Sequence, residues 1–290
     1  MPSLRDIRRR IRSVRNTAQI TKAMELVAAS RMRRAQQRVL AARPYSEAMN
    51  AMINQLGAAG REGAALHPLL QQRAEVRHVG LVMLTTDRGL CGALNTNVIR
   101  RGTEFILNTH EEMELVTGGR KGQDFMARRG RGIRATFTQL GDRPEYMAIV
   151  PIARVIIDDY EQGRIDAAYL LYPKFISTLS QRPEITQILP IAPPAAEGGQ
   201  RAVEYIYEPD PRAILEELLP RNVEVQIYQA VLETIASEQS ARMVAMRAAN
   251  DNAKELIDGL TLTYNRARQA AITSEVNEIA SAANAMAQRE

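Results

Sequence analysis

Two glycine-bearing segments are the first candidates for chemistry, because a glycine-rich loop can wrap a phosphate. They are GLCGALN at 89–95 and GGRKG at 118–122. Neither has the GxGxxG order of a dinucleotide-binding turn or the GxxxxGK[ST] spacing of a phosphate-binding loop. A sharp turn from a strand into a helix needs glycine for steric reasons alone. We therefore interpret both segments as structural turns and expect Arg120 and Lys121 to face solvent or a partner.

The other reactive side chains form no pattern typical of a catalytic or metal site. His67, His78 and His110 lack the spacing of metal ligands. Cys91, the one cysteine, has no histidine near it in sequence, and such a cysteine is usually a small buried residue. A single cysteine also allows no intrachain disulfide, which indicates a reducing compartment. We expect no catalytic residue, no metal and no cofactor in this chain.

A heptad pattern dominates the first part of the chain. Two apolar rows alternate at spacings of three and four, which is the seam of a left-handed coiled coil. The rows are Leu4, Ile11, Ala18, Glu25, Met32, Val39, Ser46 and Ile53, and Ile7, Val14, Thr21, Ala28, Ala35, Ala42, Met49 and Leu56. The pattern predicts one long helix that Pro44 kinks or divides. A further apolar row, Ile20, Met24 and Val27, predicts either that another surface packs beside this seam or that the helix is locally more enclosed.

The C-terminal segment carries a similar seam. Its positions are Leu232, Ala236, Gln239, Met243, Met246, Asn250, Ala253, Ile257, Leu260, Tyr264, Ala267 and Ala271. Ile272, Val276, Ile279, Ala283 and Met286 continue it one position out of register, which changes a supercoil locally. Residues 1–43 hold twelve basic and two acidic side chains, whereas residues 213–290 hold seven and eleven. These opposite charges favour an intramolecular antiparallel pair over a parallel homodimer.

The middle of the chain changes period. Segments beginning VRHVGLVML and EMELVTGG each read as a strand, a glycine turn and a helix, and IDAAYLLYPKF, EITQILPI and VEYIYEP read as further strands. The predicted fold class is α/β: a long antiparallel two-helix coiled coil formed by the N- and C-terminal helices plus a small Rossmann-like domain. We expect a coiled-coil helix at 1–57, an α/β foot domain at 76–207 with a surface loop at 192–200, and a second coiled-coil helix at 211–290.

Several segments resemble the gamma subunit, or central stalk, of bacterial F-type ATP synthases. They are ITKAMELVAASRMRRAQ at 20–36, TTDRGLCGALN at 85–95, EYIYEPDP at 204–211, SEQSARMVAMRAANDNA at 237–253 and NRARQAAITSEVNEIASAA at 265–283. The resemblance implies a non-catalytic rotor shaft inside a ring of three alpha and three beta subunits. The foot would sit with the epsilon subunit on the membrane ring of c subunits, one copy per complex. Proton flow would turn the shaft and drive ATP synthesis in the beta subunits.

The same resemblance implies partner-binding residues. Met24 would pass the lever loops of the catalytic subunits, and Arg268, Gln269 and Thr273 would hydrogen-bond a loop of one catalytic subunit. The basic face, which includes Arg8, Arg9, Arg12, Arg31, Arg33 and Arg34, would meet acidic lever loops. Tyr205 and Tyr207 would lie near the c ring, and the alanine-rich end from Ile272 to Met286 would seat in an apolar bearing.

Location and two other functions complete the expectations. No apolar run approaches the 18 or so residues that span a bilayer, and the Arg-rich start lacks a signal's apolar region. We expect a peripheral protein on the cytoplasmic face of the cell membrane. A Rossmann-type nucleotide enzyme and a coiled-coil scaffold or DNA-binding dimer remain alternatives. The basic face has no neighbouring aromatic residues for base stacking, so no nucleic acid is expected, although double-stranded DNA stays open.

Overall fold

The computed structural model describes residues 3–59, 67–191 and 211–287. Contacts divide the chain into two compact units. One unit combines Met1–Val27 with Met243–Glu290, and the other is Ala28–Arg242. The predicted loop at 192–200, the predicted strand VEYIYEP, Tyr205 and Tyr207 lie outside the described residues. No helix among the described residues is long and apolar enough to cross a membrane.

The described residues form five α-helices and five strands. The helices are α1 (Leu4–Ala59), α2 (Leu94–Asn108), α3 (Arg120–Arg128), α4 (Tyr146–Glu161) and α5 (Pro211–Ala287), with a 3-10 turn at Pro68–Leu70. The strands are β1 (His78–Leu84), β2 (Glu112–Gly118), β3 (Ile133–Phe137), β4 (Ala167–Phe175) and β5 (Gln181–Leu189). The long helices α1 and α5 contribute residues to both units.

Within Ala28–Arg242 the five strands form one mixed sheet in the order β3-β2-β1-β4-β5. Only the pairing of β4 with β5 is antiparallel. Strand β1 is a continuous apolar run because both of its faces are covered. Leu81 and Met83 pack with α2 and α3 on one face. Val82 and Leu84 pack on the other face with α4 and the parts of α1 and α5 in this unit.

The unit of Met1–Val27 and Met243–Glu290 contains an antiparallel helix pair. Arg8 donates a hydrogen bond to Tyr264 Oη, and Arg247 Nε lies 3.1 Å from Glu25 Oε1. The residue numbers in each of these two pairs add up to 272, as an antiparallel register requires. Within Ala28–Arg242, Asn222 Nδ2 donates to Asn50 Oδ1 at 2.8 Å, and those numbers also add up to 272.

This pairing confirms the predicted fold class, with the two helices of one chain antiparallel rather than a parallel homodimer. Every predicted seam position from Leu4 to Ile53 is buried or partly buried. The side chain of Leu56 lies outside those described. The helix is not divided at Pro44, because α1 continues to Ala59. Val39 and Met49 are 4% exposed on either side of the exposed proline, so core packing there offsets one lost backbone bond.

The C-terminal seam is shorter than predicted. Its positions are buried or partly buried from Leu232 to Ala267, but Ala271 is exposed. Ile272, Val276 and Ile279 are 50%, 57% and 67% exposed and continue no seam among the residues that the structure describes. The physical reason is the register, which places residue 269 opposite Ser3, so that α1 offers no partner farther along. The sequence keeps the heptad spacing beyond residue 269, although α1 extends no farther and leaves that part of α5 without this partner helix.

Candidate partner-binding surfaces

The glycine turn before α3 is a close-packed connection. Gly119 has a φ of 91°, and a Cβ there would lie 2.2 Å from the carbonyl oxygen of Thr85. A Cβ at Gly122 would lie 2.8 Å from Met83 Cε and 2.9 Å from Thr85 Oγ1. These glycines therefore let α3 begin directly against the end of β1, which is the structural reading of the turn.

The start of α3 is also where many α/β proteins hold a phosphate on free backbone N–H groups. Here the chain fills that place itself. The Asp87 carboxylate accepts from the N–H of Arg120 at 3.0 Å and of Gln139 at 2.9 Å. Thr86 O accepts from Lys121 N, and Thr85 Oγ1 accepts from Gly122 N. A cavity of about 40 Å³ adjoins the turn, and an open one of about 360 Å³ lies beside Asp87, Arg120 and Gln139. The backbone N–H groups that would hold a phosphate there are already bonded to Asp87, Thr86 and Thr85.

The surroundings of Cys91 and His67 indicate that both side chains stabilise the fold. Cys91 is buried, Asn95 Nδ2 lies 3.2 Å from its Sγ, and burial raises the pKa of the thiol. His67 Nδ1 accepts the N–H of Leu69 and so caps the 3-10 turn. In the described ranges, no three His, Cys, Asp or Glu side chains are grouped as metal ligands.

Glu25 interrupts the apolar seam of the Met1–Val27 and Met243–Glu290 unit as a paired ion. The residue is 5% exposed, with Lys22 Nζ at 3.0 Å and Arg247 Nε at 3.1 Å from its carboxylate. Hydrogen bonds from Lys22 and Arg247 hold the pKa of the Glu25 carboxyl below its ordinary value. The seam therefore tolerates this charge because two cations satisfy it.

The apolar row beside Glu25 has no covering surface within its unit. Met24 is partly buried, whereas Ile20 is 61% and Val27 51% exposed. A cluster of exposed apolar side chains on a helix marks a surface for another chain. Within its unit the helix is therefore not more enclosed at Ile20 and Val27, while Met24 is partly covered.

The structure separates the predicted basic face into different environments. Arg8 stacks 5.3 Å from the centre of the Tyr264 ring, and Arg9 pairs with Asp6 at 2.9 Å. Arg12 and Arg33 are exposed. In the Ala28–Arg242 unit, Arg31 pairs with Asp142 at 2.5 Å, and the Nε of the exposed Arg34 lies 3.4 Å from Ser30 O. Arg8 and Arg31 therefore also serve contacts inside the chain.

The three polar residues predicted near the C-terminus lie on one short stretch of α5. Arg268, Gln269 and Thr273 are all exposed. They begin where the register runs out of α1, so their donors face outward. Sequence reasoning missed Arg242, which is 8% exposed and donates to Gly89 O and to Glu238. The spacing of four between Glu238 and Arg242 on a helix was the signal for this pair.

Comparison with known proteins decides the family. A family model described as ATP synthase matches residues 3–286. An ATP synthase gamma chain of Dehalococcoides mccartyi strain BAV1 is 51% identical over 99% of this chain and all of its own length. The chain belongs to the ATP synthase gamma chain family. The gamma chain of Roseiflexus sp. strain RS-1 is 53% identical, again over 99% of this chain and its whole length.

The fold also matches that of a chain in a solved structure of a mitochondrial ATP synthase. A chain from the rotor of the Euglena gracilis mitochondrial ATP synthase, in rotational state 1, aligns with a TM-score of 0.64. The alignment covers 93% of this chain and 98% of that chain at 19% identity, and therefore supports the fold. The family predicted from five short segments is confirmed.

Proposed function

We propose that this gamma chain is the central rotor shaft of a proton-translocating F-type ATP synthase. It would couple rotation of the membrane c ring to conformational change and ATP synthesis in the beta subunits. The observation that carries the proposal is the end of α5. From Arg268 onward the described side chains of a single helix are exposed, with polar groups first and Ile272, Val276 and Ile279 after them. An end of this kind suits a sleeve that is supplied by other chains.

The proposed partners are three alpha and three beta subunits around the shaft, with the epsilon subunit and the c ring at the foot. One copy serves each complex. This assembly makes the chain a peripheral membrane protein on the cytoplasmic face of the cell membrane. No nucleic acid takes part, since the basic residues would meet acidic loops of proteins.

The chain itself is proposed to be non-catalytic and to need no cofactor. Asp87 supports this proposal, because its carboxylate sits at the α3 N-terminus where a nucleotide phosphate would bind. ATP would then be made entirely in the beta subunits. Saturable nucleotide binding to the isolated full chain would contradict this part of the proposal.

The proposed contacts with the catalytic subunits divide by chemistry. Met24, between exposed Ile20 and Val27, would slide past lever loops through apolar contact. Arg8, Arg9, Arg12, Arg31, Arg33 and Arg34 would attract acidic loops, and Arg268, Gln269 and Thr273 would donate hydrogen bonds. Tyr205 and Tyr207 would act near the c ring.

The test is assembly and rotation with alpha and beta subunits of a relative. Buried Cys91 has a raised thiol pKa, so a cysteine introduced at Met147, which is 70% exposed, can be labelled selectively with a probe. We expect a complex with one copy of the chain, ATPase activity only in the complex, and ATP-driven rotation of the probe in one direction. A complex that hydrolyses ATP while the probe stays still would overturn the proposal.

A further inference from the structure

Asp142 lies in the loop between β3 and α4, within the Ala28–Arg242 unit. Two helices reach it from opposite ends of the sequence. Arg31 Nη1 of α1 donates to Oδ2 at 2.5 Å, and Gln239 Nε2 of α5 donates to Oδ1 at 3.2 Å. Arg38 of α1 donates to the backbone oxygen of Asp142 at 3.3 Å. One residue therefore joins three segments that are about one hundred positions apart.

The loop that carries Asp142 is itself fixed to the sheet domain, by which we mean residues 67–191. Gln139 has a φ of 60°, and its N–H donates to Asp87 at 2.9 Å. The same Asp87 caps α3 through Arg120 N. Gly141 has a φ of 77°, a conformation that glycine adopts without strain. The loop is thus tied to the sheet on one side and to both long helices on the other.

These bonds differ in kind from the packing around them. Apolar burial is strong but non-directional and depends mainly on buried area, so it does not by itself fix one orientation between packed surfaces. Hydrogen bonds with an ionised group are strong and depend on geometry. Between α5 and the sheet domain, further bonds run from Ser237 Oγ to Pro173 O, Ser240 Oγ to Thr178 O, Phe175 N to Glu233 and Arg242 to Gly89 O. From α1, the bonds of Arg31 and Arg38 to the sheet domain both end on Asp142.

We propose that Asp142 is a positioning residue that locks the sheet domain to both long helices against twisting. The proposal rests on the rotor function, in which torque passes between foot and shaft. Without the lock, the described bonds would hold the sheet domain to α5 alone, and the domain would yield around α1 under load. Rotation of the foot would then be transmitted incompletely to the catalytic subunits.

A simpler role for Asp142 is that of a counter-charge. Arg31, Arg34, Arg38 and Arg143 line an open cavity of about 440 Å³ beside it. If Asp142 only neutralises this cluster, then removing one positive charge together with the carboxylate should restore normal behaviour. If it is a lock, that double change should leave the defect, because the directional bonds are still missing.

The experiment compares complete ATP synthase complexes in proteoliposomes, all with the full chain. The readout is protons pumped per ATP hydrolysed against an opposing proton gradient. Asp142→Ala should lose pumping while hydrolysis continues, and Arg143→Gln with Asp142→Ala should stay defective. Asp142→Asn should recover pumping, because its amide oxygen can still accept from Arg31 and its NH₂ group can donate to Gln239. Asp124→Ala, at an exposed carboxylate of α3, is the matched control.

Two outcomes would overturn the lock: normal pumping by Asp142→Ala, or full recovery by Arg143→Gln with Asp142→Ala. Failure of the wild-type complex to pump would instead count against the rotor function. If Asp142→Ala does not assemble, hydrogen exchange of the purified full chain decides. Amides of the loop 138–143 should exchange about tenfold faster in Asp142→Ala and return close to the wild-type rate in Asp142→Asn. Unchanged exchange in Asp142→Ala would also overturn it.

Discussion

Glu25 shows how a single charged residue can belong to an apolar seam. Burying a carboxylate is costly unless cations satisfy it, and Lys22 and Arg247 do so from the two helices. Arg247 keeps its side chain 63% exposed, so its charge remains hydrated while its Nε reaches the carboxylate. Such a pair is formed in only one register, and Glu25 therefore specifies how the helices align.

This pairing predicts a stability difference that depends on pH. Glu25→Gln should lower the free energy of unfolding by about 1 kcal/mol at pH 7, a value reduced by the exposure of both cations. The pKa of Glu25 is lowered in the folded chain, so the unfolded state takes up the proton first as the pH falls. The difference should be complete above the unfolded pKa of about 4.3 and vanish as the pH falls through the folded pKa.

Urea unfolding of the full chain between pH 3 and pH 7 measures this difference. Glu47→Gln, at an exposed carboxylate of the same helix, is the control and should show little change at any pH. A wild-type advantage that persisted unchanged in acid would contradict the assignment of the effect to the Glu25 carboxylate.

Gly119 provides a second prediction at the residue scale. Gly119→Ala should lower the free energy of unfolding by about 2 kcal/mol or more, because its φ of 91° is strained for alanine and its Cβ would meet Thr85. Gly132→Ala is the matched control, since a Cβ there has nothing within 4 Å. Thermal unfolding of both variants tests this prediction. Equal losses of unfolding free energy would show that the close approach of Gly119 to Thr85 does not determine the cost of the substitution.

At the scale of elements, α5 divides into a paired part and an unpaired end. Deleting residues 272–290 removes side chains that, where described, are exposed. The midpoint of thermal unfolding of the isolated chain should therefore change little, while far-ultraviolet circular dichroism loses helical signal. Binding to the alpha–beta ring should weaken much more, because the apolar side chains of this end would be buried only there.

Pull-down measures the loss of binding to the alpha–beta ring, and calorimetry measures the change in the midpoint of thermal unfolding. Ile176→Ser with Leu179→Ser, which removes exposed apolar side chains from the β4–β5 turn, serves as a control for general loss of surface hydrophobicity. A truncated chain that assembled fully but abolished catalysis would count against the bearing role of this end.

The elements also show what sequence could predict. The α1 seam was readable because its period is local and the buried Ile7, Ala28 and Ala35 are separated by multiples of seven residues. The place where α5 loses its partner was not, because it depends on the register between distant segments. Asp142, Arg31 and Gln239 likewise carry no local signal, since only folding brings them together. The family resemblance pointed to Arg268 and Gln269 as partner-binding residues. Only the register of the folded helix pair shows that both are exposed.

At the scale of the whole molecule, charge is unevenly distributed along the chain. Of the twelve basic residues within 1–43, only Arg9, Lys22 and Arg31 pair with a carboxylate among the described residues. The others leave a positive potential around α1 that reaches beyond contact distance in dilute salt. This field should accelerate the approach of an acidic partner more than it strengthens the final complex.

The rate at which the chain enters a preformed alpha–beta ring should therefore depend on salt. We expect the association rate constant, measured by stopped flow, to fall by about tenfold or more between about 0.02 and 0.5 M salt, with a smaller change in dissociation. Arg12→Gln with Arg33→Gln removes two exposed charges and should reduce the salt dependence. Lys121→Gln, at an exposed cation on α3, should leave it unchanged. An association rate independent of salt would mean that the unpaired arginines of α1 do not guide assembly.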